Sequence, residues 1–92
     1  VPRLEWRERA RADLLEIITY IADDNPDAAR RLLDELTTKT ARLAEHPKAY
    51  RGGRVPGTRE ITCGNYVVIY AEDTRAVTIL RVLHGRRNWP PE

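Results

Sequence analysis

The apolar residues of this 92-residue chain change their spacing near its middle, and that change restricts the fold more than any single motif. Ala10, Leu14, Ile17, Ile18 and Ile21 recur at helical intervals with Arg11, Asp13 and Glu16 off the stripe, which predicts an amphipathic helix over about residues 8–24. Asn25 then suits a helix cap, Pro26 the first helical position, and Asp27 the positive end of the helix. A second stripe, Ala29, Leu32, Leu33, Leu36, Thr40 and Leu43, carries a second helix to about His46, before Pro47. Two helices joined by so short a turn make an antiparallel hairpin, and each needs something to cover its apolar side. Leu14, Ile18, Leu33 and Leu36 are the expected core of that cover.

The second half supplies it. Thr58–Thr62, Asn65–Ala71 and Arg75–Leu83 are rich in Val, Ile, Tyr and Thr, with tight connections at Cys63-Gly64 and Glu72-Asp73-Thr74. Three such strands in succession form an antiparallel meander. Ahead of the helices, Arg3-Leu4-Glu5-Trp6-Arg7 alternates as one half-buried strand. The expected fold is therefore α+β: an N-terminal strand, a helix hairpin and a three-stranded meander, with the helices on one face of the sheet. Residues 1–92 read as one domain, because a chain this short has no room for a second core. The other sheet face is left to solvent, a ligand groove or another chain.

Composition narrows the classes. Charged residues make up 33% and no apolar run approaches the length of a membrane span, so neither disorder nor a bilayer is indicated. Cys63 is the single cysteine and no Cys/His spacing suggests a metal site; a reducing cytoplasm is the expected location, with no cofactor and no membrane partner. Charge is uneven: residues 1–47 carry 8 basic and 10 acidic groups, residues 48–92 carry 8 and 4. Fourteen of the sixteen basic residues are arginine, whose planar fork grips phosphate and carboxylate. An acidic or polyanionic partner for the second half follows.

The ordered set Ala12-Asp13-Leu14, Ile17 to Ala22, Asn25-Pro26, His46-Pro47, Gly57-Thr58-Arg59-Glu60-Ile61, Tyr66 to Tyr70 and Ile79 to Arg87, ahead of Trp89-Pro90, resembles the RelE/ParE superfamily over almost the whole chain. These are the toxins of bacterial type II toxin–antitoxin modules. The resemblance implies a growth-arresting toxin of a plasmid-stabilisation type of module. A cognate antitoxin would hold it inactive, with the option of higher-order assembly. Thr-Arg-Glu and the Val-Leu-His-Gly ending look like the ParE branch, whose members poison DNA gyrase. The alternative is a RelE-like enzyme that cuts mRNA on the ribosome, although RelE-type chains often end in Tyr where this one offers Trp89.

Metal-independent RNA cleavage needs a base, an acid and cations on the phosphate. His84 is one of two histidines and follows the last strand, and Arg59, Arg81, Arg86 and Arg87 could hold phosphate. If the enzyme reading holds, His84, Arg81 and Arg59 are its catalytic set. Strand alternation separates them, however: it places Arg81 with Ile79 and Leu83, and His84 with Leu80 and Val82, unless a bulge intervenes. Arg59 and Arg81 sit among apolar residues and need an anion, either an acid from a helix or a partner in an open groove. Lys48, Arg51 and Arg54 form a loop without acids that can track phosphates or simply be solvated. For target or antitoxin binding the candidates are Arg59, Arg81, Arg86, Arg87, Trp89, Lys48, Arg51 and Arg54. Asp13, Glu16 and Glu45 are expected on exposed helix flanks. Cys63 is expected to be inert, and Tyr66 and Tyr70 to be packing residues on one strand face.

Overall fold

A computed structural model describes residues 2–90 of the chain. Its elements run β1 (Arg3–Trp6), α1 (Glu8–Asp24), α2 (Pro26–Leu43), β2 (Arg59–Cys63), β3 (Tyr66–Glu72) and β4 (Ala76–His84). The sheet order is β1-β4-β3-β2. The meander β2-β3-β4 is antiparallel, and β1 returns beside β4 in parallel, with Arg3 opposite Ala76 and Trp6 opposite Ile79. The helix hairpin covers one face. Among the described residues no helix is long and apolar enough to cross a membrane.

Local chemistry explains the joints. Asn25 accepts the Ala28 amide at 3.1 Å and Pro26 opens α2, so one residue closes α1 and caps its successor. α2 ends at Leu43, three residues before the expected His46, where Glu45 and His46 amides both turn back to the Arg42 carbonyl. Cys63 belongs to β2, and the β2–β3 turn is Gly64-Asn65 rather than Cys63-Gly64. Gly64 takes φ +58°, a backbone conformation that a two-residue hairpin turn requires and a side chain resists. At the β3–β4 turn the Asp73 carboxylate accepts the Arg75 and Ala76 amides at 2.7 and 2.8 Å. These two bonds lower the Asp73 pKa.

The main core lies between the hairpin and the sheet: Ala10, Leu36 and Leu43 meet Ile61, Val68, Tyr70, Val77, Ile79 and Val82. Tyr70 is fully buried, and its hydroxyl donates to the Pro47 carbonyl at 2.8 Å, which ties the exit of α2 to the sheet. Tyr66 is only half-buried, against His84. Leu36 is buried as expected, whereas Leu14 and Ile18 are half-buried and Leu33 is 37% exposed. Those three line a shallow apolar groove with Trp6, Arg11 and Leu15, formed by α1, α2 and the end of β1. The opposite sheet face holds a much smaller cluster, Val67, Ile69 and Leu83, covered by Leu80 and Trp89.

Candidate functional site

The site candidates gather at the far end of β4, where β1 has stopped. Beyond Ile79 the edge of β4 has no strand partner, and Asp13 of α1 takes that place: its Oδ2 accepts the Val82 amide at 3.0 Å. The same carboxylate receives the Arg81 guanidinium through Nε at 2.7 Å and Nη2 at 3.1 Å. With side chains 12% and 8% exposed, this is a buried, two-pronged ion pair that also satisfies a strand-edge amide. Asp13 is therefore not on an exposed flank, as its place off the apolar stripe suggests. It is 7% exposed because it lies against β4 beyond the end of the β1 pairing, where it accepts from Arg81 and the Val82 amide.

A bulge alters the expected strand alternation. Ile69 pairs with Arg81 and Tyr70 with Ile79, so Leu80 is an extra residue. Ile79 and Val82 belong to the helix-side core, while Leu80 and Leu83 pack on the other side. Arg81 thus stands opposite Ile69 rather than in line with Ile79, and its Cζ lies 5.5 Å from the centre of the Trp89 ring. His84 does not share a side with Leu80. It stands opposite Tyr66, with the two rings edge to face at 5.3 Å.

His84 is exposed, and its Nδ1 accepts the Arg86 amide at 3.1 Å. That bond uses Nδ1 as an acceptor, so the neutral ring carries its proton on Nε2. His84 and Arg87 line a cleft of about 270 Å³ with Asp13, Glu16, Tyr20 and Tyr66. Arg81 is turned away into its pair with Asp13 and does not line it.

Arg59 is also engaged internally. Its Nη1 donates to the Tyr50 carbonyl at 2.7 Å and its Nε lies 3.7 Å from Glu72. The basic loop has no acid of its own, but β2 supplies one. Glu60 is 4% exposed, accepts the Arg54 amide at 2.9 Å, and lies 3.7 and 3.9 Å from the Arg54 and Arg51 guanidiniums. Gly53 permits this approach, since a Cβ there would collide with Thr58 and crowd Glu60. Arg54 also reaches the Arg87 carbonyl at 3.5 Å, which joins the loop to the tail. Lys48, Arg86 and Arg87 are exposed and make no ion pair among the described residues.

Trp89 folds back on Val67, Ile69 and Leu83, and its indole N–H has no acceptor among the described residues. Burial pushes the Cys63 thiol up to about 12, as its place in the core demands. No group of three His, Cys, Asp or Glu among the described residues could hold a metal ion. Sequence reasoning missed Asp13 and Glu60 as partners. For Asp13 the signal available was only that Arg81, in an apolar strand, needs an anion, and for Glu60, which meets the loop arginines Arg51 and Arg54, there was none.

Comparison with known proteins places this geometry. A Sinorhizobium fredii protein named as a toxin, Y4kP, is 40% identical over 90 residues, covering 96% of this chain and 93% of its own. Among solved structures, a chain of the chromosomal ParDE toxin–antitoxin system of P. aeruginosa superposes with a TM-score of 0.80 at 23% identity, over 90% of this chain and 95% of that one. A chain of a RelBE toxin–antitoxin complex of Mycobacterium tuberculosis does so with 0.61 at 24%, over 91% and 99%. These likenesses extend the shared fold across both branches. The description of the ParE toxin of type II toxin–antitoxin systems matches residues 4–89, and the chain belongs to that ParE toxin family.

Proposed function

We propose that this toxin acts by binding: it poisons DNA gyrase on DNA, has no active site of its own, and is silenced in the cytoplasm by a cognate antitoxin. Family membership supports the target. The observation that carries the mechanism is the Asp13–Arg81 pair. A nuclease of this kind needs free cations beside its base to meet growing phosphate charge. Here Arg81 is neutralised by Asp13, Arg59 is tied to Tyr50 and Glu72, and neither lines the cleft that holds His84, which leaves Arg87 as the one arginine there. The antitoxin partner rests on the family's type II membership and on neighbours that are toxin–antitoxin systems.

A ribosome-dependent RNA endonuclease is the second reading, and one feature favours it: the cleft brings His84, Arg87, Glu16 and Tyr66 together. Induction of the toxin without its antitoxin separates the two. Gyrase poisoning yields DNA breaks, filamentous cells and a damage response, whereas RNA cleavage yields an immediate stop in translation.

A further inference from the structure

Two segments far apart in sequence converge beside the thinly covered sheet face. Arg51 and Arg54 come from the loop before β2 and Arg87 from the turn after β4, the Arg54-to-Arg87 hydrogen bond joins the two segments, and Arg86 stands beside Arg87 toward the β2–β3 turn. Arg51 and Arg54 share one carboxylate, the buried Glu60, which fixes the loop from beneath through the Arg54 amide, while Arg86 and Arg87 have no acid partner among the described residues. The resulting surface is positively charged and built on a backbone that is already held in place.

The shape of this face discriminates between anionic partners. Between Arg54, Arg87, His84, Trp89 and the apolar floor there is a cavity of only about 10 Å³, too small to seat a side chain. The outer edge of β2 is already occupied there: the Glu60 amide donates to the Arg51 carbonyl at 3.3 Å, and Gly52 bridges Arg59. A peptide recognised through a strand edge or an apolar socket finds neither. The apolar groove that a helical peptide needs lies elsewhere, at Leu14, Leu15, Ile18 and Leu33. Trp89 is engaged by Arg81 and the sheet, which disfavours base stacking and leaves a backbone contact. We propose that this face binds the phosphodiester backbone of double-stranded DNA, so that the toxin grips the DNA at its target as well as the target itself. This rests on the reading of the protein as a gyrase poison.

The test is fluorescence polarisation of a short labelled DNA duplex with purified toxin. With about three phosphates neutralised, affinity falls roughly 40-fold between about 50 and 200 mM salt. Arg86→Gln with Arg87→Gln weakens binding and flattens the logarithmic salt slope by about two. Arg54→Gln weakens it separately, while Arg30→Gln with Arg31→Gln on α2 leaves it unchanged. Salt-independent binding, a double variant that binds like the parent, tighter binding of an equal RNA duplex, or loss of antitoxin binding alone each overturns the assignment. Gyrase cleavage measured on the same preparations separates the two readings. Poisoning without any DNA contact overturns this inference and keeps the target, whereas salt-dependent DNA contact without poisoning keeps this inference and overturns the target.

Discussion

The two faces of the sheet are built to different standards. Toward the helices, Val68, Tyr70, Val77, Ile79 and Val82 are buried to within about one per cent by residues of α1 and α2 that lie far away in sequence. On the other side Val67, Ile69 and Leu83 are sheltered by one extra strand residue, Leu80, and one tail residue, Trp89. The first face carries the stability of a small domain, where every buried side chain is a large share of the total. The second has little stability to lose and presents charge around a small apolar floor. Asp13 joins the two: it sits on a core helix and holds Arg81, which reaches across to Trp89.

The largest effect is therefore expected at Asp13. Asp13→Ala leaves the Arg81 guanidinium buried without its partner and the Val82 amide unsatisfied, and is expected to cost about 3–5 kcal/mol in urea unfolding. A cost below about 1 kcal/mol would separate the two faces that this pair is said to join. Next is the contrast within α2. Leu36→Ala is expected to cost about 2–5 kcal/mol as a core cavity, and Leu33→Ala, on the exposed groove, less than about 1 kcal/mol. Equal losses at both positions would mean that the groove is core. Trp89→Ala on the thin face is expected to cost about 1–2 kcal/mol while weakening target inhibition by lost contact area.

Smaller still are the pH effects. The folded-state pKa of Cys63 lies at about 12, above its ordinary 9.0, so its contribution is complete below pH 9 and fades as pH rises toward 12. Native protein at neutral pH should resist thiol alkylation that the unfolded chain undergoes readily; rapid native alkylation would remove Cys63 from the core. For Asp73 the sign is opposite. Its folded pKa is lowered by the Arg75 and Ala76 amides, so its contribution is present above its ordinary 3.8 and is lost as pH falls through the folded value. Asp73→Asn should remove that acid-side dependence with little other change.

Element types and their order were legible because the apolar period changes cleanly, and because Asn25-Pro26 and Gly64 leave the backbone few choices. The bulge at Leu80 was not, since nothing in Ile79 to Leu83 marks where an extra residue falls, and it takes Arg81 out of line with Ile79 and His84 out of line with Leu80. The burial of Asp13 is hidden for a related reason. Its exposure depends on how short β1 is against β4, a tertiary mismatch that helical spacing cannot carry. Strand context shows that Arg59 and Arg81 need an anion but leaves open whether a helix acid or a partner in the groove supplies it; the acids are Glu72, 13 residues from Arg59, and Asp13, 68 residues from Arg81.

The most direct test of action by binding adds purified toxin, and its His84→Ala variant, to gyrase with plasmid DNA and to ribosomes with mRNA. The expected result is accumulation of gyrase-cleaved DNA with both proteins and intact mRNA throughout. Cleavage of mRNA by the parent, reduced ~10²–10⁴-fold in a folded His84→Ala variant, would make the toxin an enzyme and contradict it.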